Sequence, residues 1–212
     1  MDKWSRAWLA ILAWFGAVIA IFAIVQNWSM VSFALLFGIG FGALCWVIRS
    51  RIRPAFERLG LANFGGFAIL AIAISSGEEV LCWALGNRIA NPVLWKDLVI
   101  VNGSWIVWYA TWYFILAKRY AYKEKEALFL AASTGILYEY VSSGTFLTNP
   151  AGILLGAPLA IVVYAALFII PMQLVDFWGK DEAAIKYVAS PFLPYMLSFA
   201  VALPIAIVVL MV

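Results

Sequence analysis

The stretch FGGFAILAIAISSGEEVLCWALG, residues 64–86, is apolar over a length that decides the fold class of this chain. A membrane-spanning helix requires about 20 consecutive, predominantly apolar residues, and this stretch meets that requirement. Its charged residues are the neighbours Glu78 and Glu79. Because an ionisable side chain inside a membrane is costly and usually functional, this pair is the first candidate for a functional site.

The composition of the whole chain indicates a membrane protein. Of its 212 residues, 66% are apolar and 12% are charged, whereas soluble domains have about 45–50% and about 25% respectively. We therefore predict an all-α, polytopic membrane protein made of a single transmembrane domain, residues 1–212. Seven segments of spanning length are predicted, at 7–26, 30–48, 64–86, 98–117, 127–146, 152–175 and 192–211.

The basic residues predict the orientation of these segments. Of the 14 Lys and Arg residues, only Arg88 and Lys96 fall on the predicted outer side. Because positive charges accumulate in cytoplasmic loops, the N-terminus is predicted to lie in the cytoplasm and the C-terminus outside. The most arginine-rich inner segment, 49–60, is predicted to be a loop. We expect a multi-pass protein of a prokaryotic plasma membrane, with membrane lipids as its partners.

The residues that the sequence lacks argue against several kinds of site. It contains no histidine, which removes histidine-ligated zinc or haem and histidine-based acid–base catalysis. Its two cysteines, Cys45 and Cys82, lie in apolar runs and are predicted to be buried thiols instead of a disulfide. Its basic residues are explained by topology. We therefore predict no cofactor, no metal and no nucleic-acid partner.

A third acid, Glu139, lies at the same predicted depth as the first two. The segments that contain Glu78, Glu79 and Glu139 both run from inside to outside, and all three acids fall in the outer half. Carboxyl groups that lie close together in a medium of low dielectric are not all ionised easily. A neutral acid beside an ionised one suits general acid–base catalysis or proton coupling. These three glutamates are the predicted catalytic residues.

The predicted substrate pocket combines polar and aromatic residues of the fourth and sixth segments. Four aromatic residues of the fourth segment follow the spacing i, i+3, i+4, i+7 and so form one stripe. Such a stripe can line a pocket for a polyene or stabilise a cation through its ring faces, and it can also serve helix packing or contact with lipid. The predicted substrate-binding residues are Asn102, Trp105, Trp108, Tyr109, Trp112 and Tyr164.

The run Gly77-Glu78-Glu79-Val80-Leu81-Cys82-Trp83 contains a glutamate pair like that of the CAAX-type intramembrane proteases. In that family the pair is followed by an arginine, and histidines occur later in the chain. Here Trp83 stands at the arginine position and histidine is missing, so we predict that this protease activity is absent.

The chain also resembles the small polytopic carotenoid enzymes, namely the membrane lycopene cyclases and the carotenoid hydratases of archaea and bacteria. The resemblance lies in the acidic pair and in the run from Tyr138-Glu139-Tyr140 to Gly156-Ala157-Pro158-Leu159 and Tyr164, which is similar to the Glu, Gly, Tyr and Gly-x-Pro-Leu pattern of the hydratases. It departs from the cyclases at Ser76 and Gly77, because proline precedes their acidic pair. The resemblance implies that the acids protonate an isoprenoid double bond.

Three functions remain open from the sequence. The first is a membrane-embedded enzyme that acts on a lipid or isoprenoid substrate by carboxylate acid–base catalysis. The second is a small transporter in which the same acids carry protons or bind cations. The third is a non-catalytic membrane scaffold. The enzyme predicts a pocket open to lipid, whereas the transporter predicts a polar path from the acids to the cytoplasm.

Overall fold

A computed structural model describes residues 2–86 and 91–211, and within these ranges the chain forms helices and no β-strand. Arg88, one of the two basic residues predicted on the outer side, lies outside the described residues. The helices are α1 Lys3–Ile24, α2 Trp28–Arg58, α3 Phe64–Ala84, α4 Leu94–Arg119, α5 Glu124–Ile136 with its continuation Leu137–Ser142, α6 Thr145–Thr148, α7 Pro150–Leu174 and α8 Lys186–Met211.

Six helices of the described ranges are long and apolar enough to cross a membrane, which confirms the prediction of an all-α, multi-pass membrane protein. They are α1, α2, α3, α4, α7 and α8. The segment predicted at 127–146 is not among them. It folds as α5, with 13 α-helical and 6 π-helical residues, followed by the short α6. Four charged residues, Glu124, Lys125, Glu126 and Glu139, make α5 less apolar than the other six.

The centre of the bundle is α7. In its most apolar window 83% of the residues are buried, compared with 11–39% for the other five apolar helices. It packs against α1, α2, α3 and α5, while α8 packs against α4 and α5. Small residues such as Gly156, Ala160, Ala165 and Ala166 allow this close approach from several sides. A helix that is apolar on all its faces is expected in such a central position.

Several predicted boundaries are wrong, and the largest errors occur at charged residues. The predicted loop 49–60 is helical as far as Arg58, α4 begins at Leu94 instead of 98, and α8 begins at Lys186 instead of 192. The helices continue past the apolar runs because their charges find partners. Arg53 donates to Asp176 at 2.5 Å, for example.

Polar contacts gather at one end of the bundle, which we call the basic end. Here α1, α5 and α8 begin, and α2, α4 and α7 end. Arg49 pairs with Glu124 at 3.0 Å, and the Lys125 ammonium donates to Ser5 Oγ at 2.7 Å. An isolated bridge joins Tyr120 to Asp181. These contacts connect the ends of helices that are distant in the sequence.

A buried ion pair secures the start of α8 at the basic end. Lys186 Nζ lies 3.1 Å from Glu126 and 3.3 Å from Glu182, and it donates to the Ala121 carbonyl at 2.8 Å. Only 3% of the Lys186 side chain and 5% of the Glu126 side chain are exposed, whereas 78% of Glu182 is exposed. Removing one partner of such a pair leaves the other charge buried and uncompensated.

We expect Lys186→Met to lower the free energy of unfolding by about 3–5 kcal/mol, because it leaves the Glu126 carboxylate buried without its partner. The double variant Lys186→Met/Glu126→Met is expected to recover most of this loss, because both charges are then removed. Thermal unfolding of the detergent-solubilised protein measures both effects. The control is Glu182→Gln, which removes an exposed partner and is expected to cost about 0–1 kcal/mol. Equal losses for Lys186→Met and Glu182→Gln would contradict the importance of the buried pair.

Candidate functional site

Two of the predicted catalytic acids, Glu78 of α3 and Glu139 of α5, line one cavity of about 280 Å³. The remaining lining is largely apolar and comes from α2, α3, α5 and α7. It consists of Met30, Phe33, Cys82, Tyr140, Leu159, Ala160, Val163 and Tyr164. The structure therefore brings together two of the three acids that the sequence singles out, inside walls suited to a hydrocarbon.

Glu139 is held in the cavity by the π-helical continuation of α5. Its Oε1 accepts a hydrogen bond of 3.0 Å from the Tyr164 hydroxyl of the central helix. The ring of Tyr164 lies against the backbone of Gly135, where a Cβ atom would stand only 2.7 Å from two ring carbons. In the same way, Tyr140 lies against Gly156, where a Cβ would overlap the hydroxyl group. Two glycines thus provide the space for the two tyrosines of the cavity.

Glu78 has a much weaker partner than Glu139. The thiol of Cys82, one turn further along α3, donates to Glu78 Oε1 at 3.4 Å, and a thiol is a poor donor. The Glu78 residue is 5% exposed. Cys82 and Tyr140 were not among the predicted site residues, although the i, i+4 spacing of Glu78 and Cys82 is the signal that relates the thiol to the acid.

Glu79 points away from this cavity and toward α4. Adjacent residues on a helix point about 100° apart, so the two neighbouring acids of α3 cannot share one face. Glu79 is 2% exposed, and its carboxyl group lies near that of Asp97.

Asp97 is the acid that sequence analysis missed. The predicted fourth segment begins one residue after it, whereas in the structure Asp97 lies within the first turn of α4 and is fully buried. Its Oδ1 accepts a hydrogen bond of 2.7 Å from the backbone N–H of Asn91. The signal in the sequence was that apolar residues lie on both sides of the Lys96-Asp97 pair. They allow the helix to begin before this charged pair.

Asn102 joins α3 to α4 near the acids and is not part of the cavity wall. Its Oδ1 accepts from Ser75 Oγ at 3.0 Å, and its amide nitrogen donates to Ser76 Oγ at 3.0 Å and to the Leu98 carbonyl at 2.9 Å. All of its amide hydrogen-bonding groups are therefore used within the helix pair. The structure gives Asn102 a role in helix packing.

The aromatic stripe of α4 is packed in the core instead of lining the cavity. Trp105, Trp108, Tyr109 and Trp112 are all buried, and none of them belongs to the cavity wall formed by residues 2–86 and 91–211. The Trp105 ring lies 4.9 Å from that of Tyr164. Of the six predicted substrate-binding residues, only Tyr164 lines the cavity. The aromatic stripe packs behind the cavity wall, where Trp105 contacts Tyr164.

The site offers proton-transfer groups in an apolar space. Within the described part of the chain, no three His, Cys, Asp or Glu side chains form a group that could hold a metal ion. The available chemistry is that of two carboxyl groups, a thiol and two phenols. Carboxyl groups in such a setting act as general acids and bases.

We expect Gly135→Ala to displace the Tyr164 ring and break its hydrogen bond to Glu139. The added methyl group has no free space, so the free energy of unfolding should fall by about 1–3 kcal/mol. The control is Gly77→Ala on α3, where no atom lies within 4 Å of the new Cβ; it should be neutral or stabilising by up to about 1 kcal/mol. Thermal unfolding measures both, and a loss in Gly77→Ala as large as in Gly135→Ala would contradict a steric cause.

Comparison of the chain with models of protein families, with curated proteins and with solved structures finds no match. The resemblance of the acidic segments to membrane carotenoid enzymes therefore stays a prediction. The roles of the residues follow from the geometry of the cavity alone.

Proposed function

We propose that this chain is a membrane-embedded enzyme that acts on a lipid or isoprenoid substrate by carboxylate acid–base catalysis. The observation that carries the proposal is the cavity whose largely apolar lining includes both Glu78 and Glu139, from two different helices. An apolar substrate is suited to these walls, and the two acids are the groups within reach of it. The volume of about 280 Å³ fits the end of a chain, whose remainder extends into the membrane.

The hydrogen bonds suggest a different role for each acid. Glu78, for which the Cys82 thiol is the one hydrogen-bond donor among the described residues, is the proposed proton donor. Glu139, whose oxygen is held by the Tyr164 hydroxyl, is the proposed base. The rings of Phe33, Tyr140 and Tyr164 in the wall can stabilise positive charge on the substrate through their faces.

The proposed step is the isomerisation or cyclisation of an alkene. The Glu78 proton adds to one carbon of a double bond, and the π electrons form the new C–H bond, leaving a cation on the other carbon. For cyclisation, a second double bond of the same chain attacks this cation. Glu139 then takes a proton from a carbon next to the cation, and the electrons of that C–H bond form a new double bond. Transfer of a proton from Glu139 to Glu78 restores the starting state, so no co-reactant is consumed.

The proposed topology has seven spans, with the N-terminus in the cytoplasm of a prokaryotic cell and the C-terminus outside. It is supported by the distribution of basic residues and by the contacts of α5, which begins beside Lys186 at the basic end and carries Glu139 into the cavity at its other end. Counting α5 as a span places the cavity in the outer half of the membrane. The substrate would then be processed on the non-cytoplasmic side.

The packing between the cavity and the basic end supports an enzyme over a proton transporter. Ring contacts of 4.9–5.4 Å connect neighbouring members of an aromatic column that leads from the cavity toward the basic end. Its members, in order, are Tyr164, Trp105, Trp108, Phe168, Trp112 and Tyr122. A transported proton needs a chain of polar groups or waters. Aromatic rings occupy the space between the cavity and the basic end along this column instead.

The test is expression of the chain and its variants in an isoprenoid-producing host, followed by mass spectrometry of the extracted lipids. We expect the parent protein to change the lipid profile, and Glu78→Gln and Glu139→Gln to lower the new product at least about 100-fold, the lower limit of a typical acid–base contribution. Glu57→Gln is the matched control and should retain the product. An unchanged profile across a broad set of isoprenoid and acyl precursors would overturn the enzyme, and proton flux in proteoliposomes that depends on Glu78 would favour transport.

A further inference from the structure

A second, larger cavity lies along the contact between α2 and α7, at a different place from the cavity that contains the acids. It is a groove of about 630 Å³ whose walls come from α1, α2, α5 and α7. The α2 wall includes the small residues Gly38, Gly42 and Ala43, which leave the space that larger side chains would fill. The groove faces the lipid side of the bundle, since Leu9 and Leu12 on its rim are exposed.

One end of this groove is polar and positively charged. Lys125 and Ser5 line it, and the Lys125 ammonium donates to Ser5 Oγ at 2.7 Å. The Trp8 indole N–H donates to the Lys125 backbone carbonyl at 3.1 Å, which fixes the position of the tryptophan at the same end. Tryptophan and lysine side chains at the end of an apolar surface are typical of the region of lipid head groups.

The positive charge at this end has no carboxylate partner in the described part of the chain. Lys125 forms no ion pair among residues 2–86 and 91–211. Asp2 is close enough to Lys125 for an electrostatic interaction. Its carboxylate is already used at the start of α1, where it accepts hydrogen bonds from Ser5 N at 2.8 Å and from Ser5 Oγ at 3.0 Å. An anionic group can therefore approach Lys125 without displacing an existing ion pair.

The other end of the groove is closed toward the acid cavity. Phe15 and Val162 are buried and pack over Gly38, with distances of 3.5 Å and 3.2 Å to the position that a Cβ would take on this glycine. Both belong to a small cluster that also includes Leu159 of the acid cavity. A molecule in the groove is thus separated from Glu78 and Glu139, and it is not the substrate of the proposed reaction.

We propose that the groove binds an anionic phospholipid, with one acyl chain between α1, α2 and α7 and its phosphate group at Lys125. The apolar walls fit the chain, the unpaired ammonium fits the phosphate, and the closed end limits how far the chain can enter. Charge complementarity selects an anionic lipid over a zwitterionic one, whose choline or ethanolamine group would also lie near Lys125. The bound lipid would hold α1, the most exposed of the apolar helices, against the central helix.

The test uses the full chain in detergent, with thermal unfolding measured as phosphatidylglycerol or phosphatidylcholine is added. A ligand that binds only the folded state raises the midpoint, and the stabilisation grows with the logarithm of its concentration relative to its Kd. We expect at least a fivefold lower apparent Kd for phosphatidylglycerol than for phosphatidylcholine. Lys125→Gln should remove this preference, Lys125→Arg should retain it, and Lys123→Gln, at the exposed neighbour two residues away, should have no effect.

A second variant tests the acyl-chain part of the groove. Ala43→Phe fills the space between α1 and α2, and it should weaken binding of phosphatidylglycerol at least fivefold while the protein remains monodisperse. Native mass spectrometry should show one retained phosphatidylglycerol on the parent protein and none on Ala43→Phe. Equal affinity for the two lipids, an equal loss in Lys123→Gln and Lys125→Gln, full stabilisation by inorganic phosphate alone, or a change of oligomeric mass in Ala43→Phe would each overturn the proposal.

Discussion

The structure depends on one constraint, which is that every charge placed inside an apolar bundle needs a partner or a cavity. Hydrocarbon offers no hydrogen bonds. An unpaired polar group in it costs several kcal/mol, which is on the order of the cost of transferring such a group from water to an apolar solvent. The chain meets this constraint in three different ways. Lys186 is paired with Glu126, Asp97 accepts a hydrogen bond from the backbone of Asn91, and Glu78 and Glu139 face a cavity. The central helix α7 contributes to the last of these arrangements by supplying the Tyr164 hydroxyl to Glu139.

The features that follow from apolar length were predictable from the sequence. The helical class, the six helices long and apolar enough to span a membrane and the meeting of Glu78 and Glu139 in one cavity all depend on runs of residues that are evident in the sequence. Helix ends at charged residues were not predictable in the same way. Whether α4 begins before or after Lys96-Asp97 depends on the partners that these charged side chains find. Such partners are distant in the sequence or are backbone groups, such as the Asn91 N–H that donates to Asp97.

The composition of the pocket was less predictable than the position of its acids. The periodic spacing of Trp105, Trp108 and Trp112 is the same for a stripe that faces a substrate and for one that faces a neighbouring helix. Only the contact with Tyr164 and Phe168 shows that this stripe faces α7. Likewise, the sequence presents Glu78 and Glu79 as equivalent, and the packing of α4 beside α3 decides which of them reaches the cavity.

The π-helical turn at the end of α5 has a consequence for how this site can change. A π turn contains one residue more than the α-helical turn that it replaces, so it marks a place where the chain length of a helix differs by one without breaking it. Glu139 lies within this turn. Loss of a single residue within this turn would return it to α-helical geometry and change the direction of the side chains of the turn, Glu139 among them, while leaving the contacts at the basic end intact. The direction of the cavity wall that contains Glu139 is therefore separable from the rest of the bundle.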